Sequence, residues 1–167
     1  MTLMNENLAR MLLLVDEVFD VKNDPGQLNV DEEVMERLKQ IHPATLSEYD
    51  DGNGPAAWVL VLPTTKALMN DFLKGVINER QLAEFTLPGV SYDAVYLCSA
   101  IVLPEHRRKG IAKDMSVNAI KAIMEQHDIL SLFCWPFTTG GESLAQSIAG
   151  ELSLELLLRR KPHGNVF

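Results

Sequence analysis

The residues best placed by type and spacing to do chemistry form one run, Val102-Leu103-Pro104-Glu105-His106-Arg107-Arg108-Lys109-Gly110-Ile111-Ala112. An apolar stretch from Ala94 to Leu103 reads as a strand covered on both faces, and Pro104 stops it. Ile111, Met115, Ala119, Ala122 and Ile123 then give one apolar helical face, so a helix is expected from about Gly110 to His127. The first N–H groups of a helix have no internal partners, and with the helix dipole they make an anion site. Gly110 and Ala112 leave little side chain between that backbone and a ligand. Arg107, Arg108 and Lys109 add positive charge at an end where the dipole disfavours cations, so a polyanion such as a pyrophosphate is the expected counterpart. There is no Gly-x-Gly-x-x-Gly after a strand and no Gly-Lys-Ser/Thr, which sets the other phosphate loops aside. The plainer alternative is a solvated basic loop that merely ends a strand.

The elements around that run are those of a small mixed α/β protein. The chain has 167 residues, which suits one domain. Helices are expected from about Asn5 to Val21, with Leu8, Met11, Leu12, Val15, Val18 and Phe19 at helical spacing, and from about Val30 to Ile41, where Asn29 and Glu32 read as a capping box. Asp24-Pro25-Gly26 separates them. Ala44 to Tyr49 and Ala56 to Leu62 flank a turn-rich segment and read as a hairpin. Helical segments follow after Pro63-Thr64-Thr65, ending near Gly75, and from Asn78 to Phe85. After the long helix, Ile129 to Trp135 reads as a buried strand, Glu142 to Ala149 as a helix and Leu152 to Leu158 as a last strand. The order predicts a mixed α/β sandwich.

Composition narrows the partners. The formal net charge of −8 disfavours nucleic acid and favours a cationic substrate such as an amine. No apolar run is long enough for a membrane span, and the first ten residues do not read as a signal peptide. Cys98 and Cys134 read as free buried thiols of a reducing cytoplasm, and no Cys/His spacing points to a metal.

Arg107-x-x-Gly110-x-Ala112 resembles the Arg/Gln-x-x-Gly-x-Gly/Ala signature of the GNAT superfamily of N-acetyltransferases, and Ile101-Val102-Leu103-Pro104-Glu105 resembles the end of that family's fourth strand. Ile129 to Trp135 is similar to its fifth strand, so the resemblance is clear from Tyr92 to Trp135 and extends in element order from Ala44 to Leu158. It implies a mostly antiparallel central sheet flanked by helices, with two central strands splayed apart, in a single domain spanning residues 1–167. It further implies acetyl-CoA as cosubstrate, without metal, and transfer of its acetyl group to a primary amine of a small molecule or peptide. The backbone of Ala100, Ile101 and Val102 would pair with the pantetheine arm, and a backbone N–H near Val102 would polarise the thioester oxygen. Amides from Arg108 to Lys113, with Arg107, Lys109, Gly110, Ile111 and Ala112 in the same loop, would hold the pyrophosphate. Thr138 stands near the Asn that the family usually carries after its fifth strand.

The catalytic residues are less well marked. The chain's tyrosines are Tyr49, Tyr92 and Tyr96, so the family's usual thiolate-protonating Tyr has no counterpart in the helix after the fifth strand. Ser143 and Ser147 are the hydroxyls in that helix, and Ser143 is the candidate acid. Tyr96 occupies the strand position where several family members place a catalytic Glu, and is the candidate base, although a packed Tyr with a tied hydroxyl is the commoner fate. Glu48 and Glu84 are carboxylates that could reach a cleft. A catalytically silent CoA-binding sensor or scaffold is the competing expectation. The family's last strand is short or missing, so an open sheet edge could be covered by a second copy in a homodimer.

Overall fold

In the computed structural model, which describes residues 6–22, 26–28 and 30–160, a five-stranded sheet is flanked by six helices among the described residues. This is the mixed α/β arrangement that the order of elements predicts. The elements are α1 (Glu6–Lys22), α2 (Glu32–Ile41), β1 (Leu46–Asp50), β2 (Pro55–Thr64), α3 (Lys66–Leu73), α4 (Glu79–Phe85), β3 (Ala94–Val102), α5 (Ile111–Met124), β4 (Ser131–Cys134), α6 (Thr139–Leu152) and β5 (Glu155–Leu158). Spatial order follows chain order: β1, β2 and β3 pair antiparallel, while β3, β4 and β5 pair parallel. The free edges of the sheet therefore belong to β1 and β5.

The parallel half exists because α5 and α6 each carry the chain back across the sheet, the connection that parallel neighbours require. Ile120 and Ile123 of α5 and Ile148 of α6 are fully or almost fully buried and join Val59, Val61 and Val95 in the core. On the other face Phe72 of α3 meets Tyr96 of β3 and Phe133 of β4, with ring centroids 4.9 and 5.8 Å away. Leu62, Tyr96 and Phe133 are register partners across three strands, which puts them on that same face.

Helix α1 packs on the end of β2 and β3. Met11 is fully buried with Ala56 and Leu103, and Leu14, Trp58 and Ile101 pack against that small cluster. The side chain of Asn7 donates to Asp51 Oδ1 (2.9 Å) and to the Gly54 carbonyl (3.3 Å), fixing the start of α1 on the β1–β2 turn.

Several boundaries differ from the sequence reading. The cap of α2 is Asp31, whose carboxylate accepts from the Val34 amide; Asn29 and Asn5, and the break at Asp24-Pro25, lie outside the described residues. Helix α6 starts at Thr139 with Thr138 as its cap, three residues before the expected start at Glu142, so Ser143 is an exposed residue just past the first turn. Helix α5 ends at Met124, short of His127. Asn78 and Gln81 form the capping box expected at α4.

Candidate functional site

The site begins with an interruption of the sheet. β3 pairs with β4 over Ala94 to Leu97, and the last partners are Leu97 and Cys134. β3 then continues to Val102 with β2 as its one strand partner among the described residues, while Pro136 follows two residues after the end of β4. Proline has no N–H for a ladder, so β4 cannot follow β3 further. The two strands part, and the second edge of β3 from Cys98 to Val102 borders the opening. A bulge marks the point of parting: Leu60 faces Ser99 and Val61 faces Leu97, so Cys98 is the extra residue on β3.

The gap is part of a cleft of about 1000 Å³. Its floor is β3, its far side is the Trp135-Pro136-Phe137 turn and the start of α6, and one end is the loop into α5. That loop is built from a single 3-10 turn, Pro104–His106, followed by Arg108 at φ 63° and Gly110 at φ 78°. A left-handed conformation costs a non-glycine residue roughly 1–2 kcal/mol, and Arg108 holds it at the cleft wall. The amides of Arg108 to Lys113 have no acceptor in the protein among the described residues; the first helical bond of α5 runs from the Asp114 amide to the Gly110 carbonyl, at 2.9 Å. Six consecutive N–H groups thus lie at one end of the cleft, at the positive end of the α5 dipole.

Side-chain charge reinforces them. Arg107, Arg108 and Lys109 form no ion pair among the described residues, although Arg107 Nε donates to the Val102 carbonyl at 3.0 Å. Lys113 lies 3.8 Å from Glu151. Two further contacts tie the loop down. Arg10 of α1 donates twice to Glu105, at 2.6 Å each, and that pairing holds the Glu105 carboxyl down at about 2. His106 Nε2 lies 2.8 Å from Asp51 Oδ2; the Asn53 amide and then His106 hold the Asp51 carboxyl below its ordinary value.

Of the residues singled out in the sequence, Ala100, Ile101, Val102, Arg107, Arg108, Gly110, Ile111, Ala112, Lys113 and Thr138 all border this cleft. Lys109 contributes an unbonded amide, but its exposed side chain lies outside the lining. Thr138 Oγ1 accepts from the Gly141 amide at 2.9 Å, which brings the N-terminus of α6 to the opposite side of the same opening.

The two catalytic candidates stand elsewhere. Tyr96 is buried in the core, and its hydroxyl donates to Glu79 Oε2 at 2.6 Å. Glu79 Oε1 in turn accepts from the Leu28 amide at 2.8 Å, so the buried pair joins α4 and the segment before α2 to the sheet. Burial first, then the Glu79 charge, holds the Tyr96 phenol well above its ordinary value. Tyr96 borders no part of the cleft, and neither does Ser143. A Tyr96→Phe substitution is accordingly expected to lower stability by about 2 kcal/mol, because it strips a charge-assisted bond from a buried carboxylate. Ligand affinity at the cleft, and the kcat/KM and pH profile of any reaction found there, should stay within twofold of the parent. A tenfold fall in kcat with unchanged stability would return Tyr96 to the chemistry.

Glu48 is tied to Trp58, whose indole N–H donates to it at 2.8 Å, and Glu84 is likewise outside the lining. Both cysteines are free, and Cys134 is buried as the sequence reading expected, whereas Cys98 is not. Cys98 is half-buried at the cleft, whereas Cys134 is buried and its thiol is pushed up to about 12, chiefly by burial, which leaves it inert as a nucleophile at neutral pH. Sequence reasoning did not find the α1 wall, where Leu14 and Glu17 border the cleft, nor the aromatic wall of Trp135 and Phe137. Among the described residues no group of three or more His, Cys, Asp or Glu side chains could hold a metal ion, and no helix is long and apolar enough to cross a membrane.

No family model matches the chain, and no curated protein matches it either. Among solved structures it is similar to a chain of the NatB acetyltransferase complex bound to a bisubstrate inhibitor, at 11% identity and a TM-score of 0.43, over 82% of this chain and 66% of that one.

Proposed function

We propose that the protein transfers an acetyl group from acetyl-CoA to a primary amine, in the splayed gap between β3 and β4. The observation that carries this reading is the run of six unbonded amides from Arg108 to Lys113 at the end of a cleft bordered by the free edge of β3. Those amides, with Arg107 and Arg108, which form no ion pair among the described residues, suit a pyrophosphate; Gly110 places no Cβ in its path, the nearest atom to one being Asp114 Oδ2 at 4.0 Å. The open edge from Ser99 to Ile101 offers backbone groups to an amide-bearing arm lying along it, while the Val102 carbonyl is taken by Arg107. The strands close at Leu97 and Cys98, roughly 13 Å of extended chain before Val102. The reacting carbonyl therefore belongs beside the bulge at Cys98 and Ser99, and the oxyanion role expected near Val102 moves there.

Acetyl-CoA supplies an activated carbonyl: the neutral amine nitrogen bonds to the carbonyl carbon, the C–S bond breaks, one of the two amine protons stays on the amide nitrogen, and the other passes, directly or through water, to the departing sulfur, so that CoA leaves as the thiol. The protein's part is to align the two reactants and exclude competing water. One observation favours a second reading, a CoA-binding module without turnover. Among the described lining residues the hydroxyls are Ser99, Ser116 and Thr138; Thr138 accepts the Gly141 amide and Ser116 donates to the Ala112 carbonyl at 2.7 Å. Thiol release from acetyl-CoA over a panel of primary amines, run beside calorimetry with CoA, separates the two. Transfer is supported by amine-dependent release and acetylated product; tight CoA binding with no release on any amine supports the module. The absence of CoA binding would sink both.

A further inference from the structure

The cleft is electrically uneven, and the unevenness lies along its length. Four of its lining residues, His106, Arg107, Arg108 and Lys113, are basic or can become so, and all belong to the loop and first turn of α5. Glu17 of α1 is the one carboxylate in the lining among the described residues. It is exposed, and it makes no ion pair or hydrogen bond among the described residues. Glu105, Asp51, Glu142 and Glu151 are paired with basic groups, while Glu17, like other surface carboxylates of this acidic chain, is not; what sets Glu17 apart among the described residues is its place on the border of a mostly apolar cleft.

The course of α1 locates it. Asn7 touches the β1–β2 turn, Arg10 pairs with Glu105, Met11 packs on Leu103, and Leu14 packs with Ile101 and Trp58 against the same cluster. Ascending numbers in α1 thus meet descending numbers at the end of β3, so the helix runs from the loop toward the point where the strands close. Glu17 follows Leu14 by three residues and shares its helix face. It lies about 4.5 Å further along the helix axis, on the side of Leu14 away from the loop. The anion site and Glu17 therefore stand at different stations of one cleft, the carboxylate being the nearer to the bulge at Cys98.

We propose that Glu17 is the specificity-determining residue for the acceptor, and that it selects an amine bearing a second cationic group by receiving that group's charge against the α1 wall. This rests on the acetyl-transfer reading above. A carboxylate with apolar neighbours interacts more strongly with a cation than one in open water does. A carboxylate-bearing amine meets the same group as a repulsion, which supplies discrimination in both directions.

The test uses a matched pair of acceptors, 1,5-diaminopentane and 5-aminopentanoate, which share a reactive amine and differ in the charge at the far end. The parent is expected to favour the diamine in kcat/KM by about tenfold or more. Glu17→Gln, a substitution well tolerated on a helix surface, should bring the two within about threefold by raising KM for the diamine while kcat is held. Glu17→Lys should invert the order. Calorimetry with CoA reads the underlying site independently and should give the same affinity in all three proteins. An unchanged preference in Glu17→Gln, no preference in the parent, or CoA binding without turnover of either amine overturns the assignment of Glu17 while leaving the CoA site standing. A parent that does not bind CoA removes the transfer reading and this assignment with it.

Discussion

In a Gly110→Glu variant, CoA is expected to lose its effect on the melting temperature. A ligand at one hundred times its Kd stabilises the folded protein by about 2.7 kcal/mol, which for a chain of this size is a rise of roughly 5–10 °C. That shift should be present in the parent and absent from the variant. Gly110 sits at φ 78° as the cap of α5, among the six amides that have no acceptor among the described residues. A Cβ there meets nothing closer than Asp114 Oδ2 at 4.0 Å, so the protein has room for the new side chain. What it cannot accommodate is a carboxylate where a phosphate oxygen should sit. The basal melting temperature should also fall by a few degrees, because a non-glycine residue in this conformation costs roughly 1–2 kcal/mol. Gly110→Ala shares that strain without the charge. It should show the same basal loss and keep most of the CoA shift. A full CoA shift in Gly110→Glu would place the anion site elsewhere.

The largest loss of stability is expected from Phe72→Ala, about 3–5 kcal/mol by urea denaturation with an unchanged m-value. Phe72 is fully buried and is the hub of the aromatic face: Tyr96, Phe133 and Trp135 lie 4.9, 5.8 and 6.2 Å away, centroid to centroid. The Arg159 guanidinium stands 4.5 Å from the Phe72 ring centre and 4.2 Å from that of Trp135, held also by a bond to the Ile77 carbonyl. Truncation leaves a cavity at the meeting point of α3, β3 and β4 and removes one of the two rings that Arg159 covers. Phe72→Leu, which keeps much of the volume, should lose less than half as much. A loss under about 1 kcal/mol for Phe72→Ala would mean that the cluster repacks freely. Because Trp135 also borders the cleft, the same truncation should weaken CoA binding modestly, a secondary effect that calorimetry would read.

The strand, loop and helix start from Val102 to Ala112 were legible in the sequence because their physics is local. A buried strand stopped by proline, three adjacent cations and a small-residue helix start are contiguous, and each bears on the same few amides. The start of α6 was harder: Gly140 and Gly141 are poor helix formers, so the pattern becomes visible only at Glu142, whereas the Thr138 side chain already caps the helix. For Tyr96 the sequence marked a strand position but not a face. The side chain falls opposite Leu62 and Phe133 on the α3 side, where Glu79, far away in sequence, takes its hydroxyl. The α1 wall was the least legible part. Its amphipathic spacing predicted a helix that packs, yet which strand it packs on follows from Arg10 meeting Glu105 and Met11 meeting Leu103, contacts between segments more than ninety residues apart.

Those long-range contacts bear on how the cleft meets its ligand. The loop from Pro104 to Gly110 carries one tether to α1, through Arg10 and Glu105, and another to the β1–β2 turn, through His106 and Asp51. It is therefore guyed from two sides, and the amides beyond it are set in direction before any phosphate arrives. The entropy of arranging them is lost once, when the chain folds, and not again at each encounter. Association should then behave as a single diffusional step, without the slow second phase that marks a loop closing over its guest.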